Sequence, residues 1–421
     1  MHGAGTRTAI TTARSFPALL DITRLTSRVG RGPHTGVDRV ELAYLEWCLA
    51  TEPDVWGLAK IASGFVFLDR DGLRSFYDRL MGKTLWGARD LRAVVGIKTP
   101  APRGAAESDL RRLAARRTDH TERGTAFASF GEAGFVYLNV GHSNFSHGHF
   151  SQVREAKMRV AVFLHDLIPL EFQHFQRAGS VEAFEQKMQA AAQSTDLILT
   201  NSQDSATKIV SEITRRGCHT PVSFAHLGVD TPLSEKAAST PIRPYFVSLG
   251  TIEPRKNHAF LLDIWEELDG ELASGDIPDL YIIGQRGWVH EDVITRLDHL
   301  KAHPRIHEEN AMGDAALWPL VMGAHGLLFP SYAEGFGLPS LEAAALGVPV
   351  ICGDLAIHRE LLGDYPVYAD LQDRYLWKKT IIEQAGKRLD DLRKDVAHKV
   401  PHIPTWDEHF DRINAAVMGS V

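Results

Sequence analysis

Short apolar runs alternate along this chain with stretches whose apolar positions recur every three or four residues. The first kind reads as buried strands and the second as helices packed on one face. Strands are expected at Ala18–Ile22, Val55–Lys60, Gly64–Leu68, Phe135–Val140, Val160–His165, Leu197–Thr200 and Val222–Ala225. Helices are expected at about Val37–Ala50, Gly72–Met81, Val181–Gln193 and Ser202–Arg215. From Asp230 to Pro244 the pattern lapses into a polar, proline-bearing stretch without periodicity, which reads as a linker. A second alternation then runs through strands Tyr245–Leu249, Leu280–Ile283, Gly326–Pro330 and Val348–Ile351, with a short one near Arg305–His307. Its helices are His258–Leu268, Glu291–Leu300, Asp314–Met322, one opening at Pro339, and others over Gln372–Val396. An amphipathic helix, Trp406–Val417, closes the chain. Alternation of this kind predicts α/β units with parallel sheets and crossover helices. The expected division is 1–229, a linker at 230–244, and 245–421, with a cleft between the two units. Residues from about 86 to 124 are arginine-rich and poor in large apolar side chains, and read as an insertion or mobile segment.

Composition narrows the class. Hydrophobic residues make up 44% and charged residues 24% of the chain, as in a globular protein. The net charge of −7 argues against nucleic acid as a partner. Cys48, Cys218 and Cys352 are scattered, which points to a reducing compartment and gives no disulfide framework or zinc motif. The opening residues lack the apolar core of a signal peptide, and no apolar run reaches the ~20 residues of a membrane span. A cytoplasmic protein is expected, with contact at a membrane face left open.

Phe329 to Ile351, FPSYAEGFGLPSLEAAALGVPVI, is the most informative stretch. A strand leads through the turn Gly335-Phe336-Gly337 into a helix with proline near its start and Gly347 at its exit. The turn directs unpaired N–H groups and a helix N-terminus to one point above a sheet, as an anion site requires. Glu334 and Glu342 flank it, and carboxylates beside an anion site make sense when the ligand also carries hydroxyls. A sugar diphosphate has both features. The junction SLGTIEPRKNHAFLL supplies a second anion site, with Gly250 in the turn and Arg255 and Lys256 at a helix start. An exposed basic pair is the plainer alternative for Arg255 and Lys256 taken alone.

GTIEPRKN, the strand ending IIG, and SYAEGFGLPSLEAAALGVPVI together resemble the retaining glycosyltransferases of family 4, over roughly Tyr245 to Ala369. TGVDRVE resembles the family's glycine loop and FLHDLIPL its histidine-bearing strand end. HDLIPL with GTIEPRKN is most similar to the mannosyltransferase-like branch that builds bacterial surface polysaccharides. The resemblance implies a GT-B fold, two Rossmann-like domains facing across a cleft. It implies that Glu342 holds the nucleotide ribose, that Glu334 lies by the donor sugar, and that the N–H groups of Phe336, Gly337 and Leu338 face sugar and phosphate. Gly250, Arg255 and Lys256 fall in the diphosphate segment, and Gly36 approaches the donor from the opposite wall. Thr251 departs from the arginine that many members carry there, and Arg255 is the candidate replacement.

His165, at the end of AVFLHD, is matched to a group that hydrogen-bonds the donor sugar in the transition state; a histidine capping the strand or paired to Asp166 is the alternative. His142, His147 and His149 fit no zinc spacing and read as a loop in the acceptor half, where His142, Asn144 and Phe145 could touch a sugar. Arg111, Arg112, Arg116, Arg117 and Arg123 read as a solvated helix face, with an anionic membrane or lipid diphosphate as the alternative. The expected function is retaining, metal-independent transfer of a hexose from a nucleotide-diphosphate donor to a saccharide or lipid-linked acceptor. No cofactor is expected. GDP-mannose is the first donor the branch implies and UDP-sugars the second. The alternatives are a catalytically silent sugar-nucleotide-binding protein and another GT-B activity such as an epimerase.

Overall fold

The computed structural model of the chain describes residues 10–32, 34–51, 54–95, 100–119, 123–230, 243–288, 291–300, 303–310 and 312–419. The first sheet has eight strands: β1 (Ala18–Asp21), β2 (Val55–Ile61), β3 (Gly64–Leu68), β4 (Arg116–Thr118), β5 (Val136–Asn139), β6 (Arg159–Phe163), β7 (Leu197–Thr200) and β8 (Val222–Phe224). Their spatial order is β4-β3-β2-β1-β5-β6-β7-β8, parallel except where β3 pairs with β2 and β4. The second sheet comprises β9 (Tyr245–Leu249), β10 (Asp279–Ile283), β11 (Ile306–Glu309), β12 (Gly326–Phe329), β13 (Val350–Cys352) and β14 (Val367–Tyr368), in the order β11-β10-β9-β12-β13-β14, all parallel. Two parallel-sheet α/β units of this kind are the GT-B architecture expected from the sequence. In each sheet the first strand in sequence has later strands on both sides, so the loops leaving its carboxyl end diverge and open a crevice. The described part of the linker stretch is limited to its ends, since residues 231–242 lie outside the described set.

The closing helix, Trp406–Gly419, packs on elements of the first unit. Phe410 stacks on Trp47 with ring centroids 4.3 Å apart, and His409 Nε2 lies 3.0 Å from the Tyr44 hydroxyl. Thr11 and Thr12 hydrogen-bond Asp407, and Ala13 accepts from Asn414. The apolar stripe Trp406, Phe410, Ile413 and Val417 was legible in the sequence; the surface it covers was not, because periodicity names a buried face and no partner. Phe410→Ala is expected to cost about 3–5 kcal/mol of stability, read as a lowered urea midpoint, since it removes a fully buried ring at this junction.

The arginine-rich segment is also built into the fold. Helix Ala101–Leu113 and strand β4 lie within it. Arg111 forms a bidentate pair with Asp90 at 2.6 and 2.7 Å, and Asp109 accepts from Arg79 and Arg112. These charge-assisted bonds add to the buried Ala106 and Leu110 in holding the described part of the segment, where large apolar residues are few. The side chain of Arg123 is outside the described set.

Candidate active site

Chain entry to the cleft on the first unit is the loop after β1. Thr35 caps the helix Gly36–Ala50: its hydroxyl accepts from the Asp38 N–H, and Asp38 accepts from the Thr35 N–H at 2.8 Å. Arg24 and Arg28 hold Asp38 at 2.9 and 3.0 Å. With the cap thus fixed, Gly36 begins the helix, and no atom lies within 4 Å of the place a Cβ would take. A ligand backbone or phosphate has open room there, beside the positive end of a helix.

On the second unit, β9 and β12 are neighbours, and their trailing loops bring the two predicted anion sites together. Glu334 accepts from Lys256 Nζ at 2.6 Å and from Arg255 at 3.1 Å. Glu253 takes the other side of Arg255 at 2.7 Å. Lys256 also stands 4.4 Å from the centre of the Phe329 ring. Burial opposes the charge on Glu334, but the two cations outweigh it and hold its carboxyl down at about 2. Burial pulls the Lys256 ammonium below its usual range, against the raising pull of Glu334. Two cations and two carboxylates therefore neutralise one another.

Gly337 caps the helix Leu338–Ala345 with φ +82°, a left-handed conformation that glycine adopts without Cβ strain. Phe336 is buried against the turn, near the ring of His226. Gly335 meets the first unit: a Cβ there would come within 2.7 Å of Asp166 Oδ2. Glu342, four residues into that helix, is buried and accepts from Arg39 of the facing unit at 2.6 Å. Arg39 belongs to the TGVDRVE loop-helix junction, three residues after Gly36. Glu360 makes another bridge, accepting from the N–H groups of Gln203 and Asp204 and lying 2.6 Å from His226 Nε2.

His165 stands at the cleft end of β6. Its Nε2 lies 2.9 Å from the Val140 carbonyl, and burial pushes the ring down to about 4, so it is neutral near pH 7. With Nε2–H donated to that carbonyl, Nδ1 is left as an acceptor. It is not paired to Asp166, which caps the following turn at Ile168 N. His142, with φ +59°, bonds the Phe163 carbonyl, and Asn144 donates to Asp21 and Thr23. Phe145 is buried in the core. The histidine-rich stretch is only partly loop. Ser146 caps a helix, His147–Glu155, in which His149 is buried against the Tyr137 hydroxyl. No cluster of potential metal ligands occurs among the described residues.

The sequence reading thus named most of the residues assembled here, but not Arg39, Asp166 as a wall under Gly335, or His358. His358 is buried, bonds the Gly353 carbonyl through Nδ1, and lies 3.5 Å from the position of a Gly337 Cβ. Arg39 carried a usable signal in its position beside a predicted helix N-terminus. His358 carried none.

Residues 231–400 match the family model described as glycosyl transferases group 1. The match falls on the second α/β unit and spans Gly250, Arg255, Lys256, Glu334, Gly337 and Glu342. Among curated relatives, the serotype-specific mannosyltransferase WbdA of Escherichia coli is 28% identical over 237 residues, 51% of this chain and 28% of its own length. The O-antigen chain mannosyltransferase B of Escherichia coli is 36% identical over 130 residues, 31% of this chain and 33% of its own. RfbU, an O-antigen chain mannosyltransferase of Salmonella typhimurium, is 28% identical over 176 residues, 41% and 45%. The chain thus spans less than half the length of these relatives. In fold, it is similar to Anabaena HepE solved with UDP-glucose: TM-score 0.57 at 12% identity, covering 96% of this chain and all of that one.

The buried histidines make the fold acid-sensitive. Burial, the largest cause in each case, holds His165 and His409 at about 4 and His258 at about 3, all below the 6.5 of a free ring. The unfolded chain therefore binds protons first. Stability is complete above about pH 6.5 and falls as the pH drops toward 4, by roughly 2 kcal/mol per histidine at pH 5. Burial raises the carboxyls of Glu41, Asp21 and Asp166, which act in the opposite sense. The histidine share is therefore read as the change in the pH dependence of the urea midpoint between wild type and His409→Phe; equal pH dependence in the two would contradict the burial of that ring.

Proposed function

We propose that the protein is a hexosyltransferase that moves a sugar, mannose in the first instance, from a nucleotide-diphosphate donor to a saccharide or lipid-linked acceptor. The observation that carries this reading is the Lys256–Glu334–Arg255 cluster just before the Gly337 helix N-terminus, whose Glu342 meets Arg39, three residues after Gly36. A diphosphate would exchange partners with Glu334, drawing Lys256 and Arg255 onto its oxygens. Glu334, released from them, would then accept from hydroxyls of the sugar, and Glu342 from those of the ribose. As the sugar–phosphate bond breaks, negative charge grows on the departing phosphate. Lys256, Arg255 and the N–H groups of Gly337 and Leu338 would stabilise it without a metal ion. His165, neutral and with an acceptor nitrogen, would take a hydrogen bond from the sugar.

No obvious covalent nucleophile stands among the matched residues, so retention by front-face displacement, with the leaving phosphate taking the acceptor proton, is the reading adopted. GDP-mannose is the preferred donor because mannosyltransferases recur among the relatives; UDP-sugars come second. Synthesis of a surface polysaccharide at the cytoplasmic face of a membrane is the setting this reading implies. Thermal-shift titration against GDP-, UDP-, ADP- and dTDP-sugars tests it, because a ligand bound only to the folded chain raises its apparent stability. One donor series should stabilise the protein and be slowly hydrolysed. Tight binding without turnover, with or without acceptor glycans, would favour a silent binding protein.

A further inference from the structure

Ten large hydrophobic side chains are exposed among the described residues, and three of them fall within ten positions: Leu85 at 87%, Leu91 at 83% and Val94 at 53%. They belong to one small element. The single-turn helix Leu91–Val95 lies on the helix Ala101–Leu113, with the Ala93 Cβ 3.6 Å from the place of a Gly104 Cβ. Ala93 is the inward residue, so Leu91 and Val94, three apart, share the outward face. Leu85 projects from the preceding loop. Burial of apolar surface drives folding, and nothing among the described residues covers these three.

The charge around them is basic. Lys83 and Arg89 are exposed, and Arg112 bonds the Ala88 carbonyl at the patch's base. The balance is five described cations, Arg79, Lys83, Arg89, Arg111 and Arg112, against three carboxylates, Asp78, Asp90 and Asp109, with Asp90 paired to Arg111 and Asp109 to Arg79 and Arg112. Asp78 lies 3.7 Å from Lys83. The element also adjoins the cleft. Pro102, at the start of its supporting helix, lies 2.6 Å from where a Cβ on Gly30 would be, and Gly30 is in the loop that leads from β1 to Gly36.

We propose that residues 83–95 form a membrane-docking element, with Leu85, Leu91 and Val94 inserting into an anionic phospholipid surface and Lys83, Arg89 and Arg112 resting on its headgroups. Projecting apolar tips on a short loop and a single helical turn, ringed by cations, match an interface of acyl chain and phosphate. A protein partner would more often meet a flat patch around a buried aromatic anchor, and none of the three tips is aromatic. Docking here brings the Gly36 side of the cleft to the bilayer, where a lipid-linked acceptor would be presented. The orientation toward an acceptor rests on the transferase reading; the lipid contact itself does not.

Vesicle co-sedimentation of the intact chain tests the contact without donor or acceptor. Vesicles of phosphatidylglycerol with phosphatidylethanolamine should bind the protein, and phosphatidylcholine vesicles should bind it at least about tenfold more weakly. The triple variant L85S/L91S/V94S should lose roughly tenfold or more of the binding to anionic vesicles. Its thermal midpoint should stay that of the wild type, because the three positions are solvent-exposed. Wild-type protein that ignores anionic vesicles, or a variant that binds them equally, would overturn the proposal. So would a variant that keeps vesicle binding while losing self-association on size exclusion, which would assign the patch to a protein contact. Nucleotide-sugar thermal shifts on the same variant separate the two readings, since they report the cleft whether or not the membrane contact exists.

Discussion

Lys256→Ala should lower sugar transfer by about 10²–10³-fold, mostly in kcat, with the fold intact by circular dichroism. The lysine is buried 2.6 Å from Glu334 and beside the turn where a departing phosphate would sit, so its charge counts in a site largely closed to water. The same loss is expected of Glu334→Ala for a different reason. Without the carboxylate, Lys256 and Arg255 lose their shared partner, and the donor sugar loses the acceptor that partner exchange would release. Each variant leaves buried charge uncompensated, so thermal midpoints should fall as well; a cost of about 1–3 kcal/mol is typical of an unpartnered buried polar group. Wild-type transfer rates in both variants would show that the cluster is structural only.

Glu342 and Arg39 offer a test with opposite signs. They are partners at 2.6 Å across the cleft, and a structural ion pair would make their removal equivalent. If Glu342 serves the ribose, Glu342→Ala should raise the donor KM by roughly 10–100-fold, the worth of one or two hydrogen bonds to a charged group. Arg39→Ala frees the same carboxylate for the ligand. The donor KM should then stay within about threefold of wild type or fall below it, because the ligand hydroxyls take the guanidinium's place, while the thermal midpoint of the ligand-free variant should fall, since buried Glu342 is left without its partner. Steady-state kinetics with saturating acceptor, on both single variants and the double variant, reads the difference directly.

Much of this arrangement is legible in the sequence. The strand Gly326–Phe329, the glycine turn and the helix from Leu338 follow from apolar runs and from proline and glycine at the helix ends. The meeting of Lys256 with Glu334 was implied by two anion sites at the carboxyl ends of strands in one sheet. What the sequence withheld was contact over long separation. Arg39 meets Glu342 across 303 positions, and the closing helix returns nearly 400 positions to Thr11, Thr12 and Ala13. Nothing local encodes such pairings. The helix Ala101–Leu113 and strand β4 were hidden for a related reason. Asp90 and Asp109 pair with Arg79, Arg111 and Arg112 there, and a polar composition conceals order built partly from ion pairs. Helix His147–Glu155 was hidden by three histidines that suggested loop chemistry, while its cap, Ser146, was in plain view.

Release of nucleoside diphosphate from a panel of GDP-, UDP-, ADP- and dTDP-sugars, followed for wild type beside Lys256→Ala and Glu342→Ala, tests the account most directly. The expected result is release from one donor series by the wild type, about 10²–10³-fold slower turnover in Lys256→Ala, and a raised donor KM in Glu342→Ala. Release at equal rates in all three proteins, or consumption of no donor with any acceptor glycan, would contradict it.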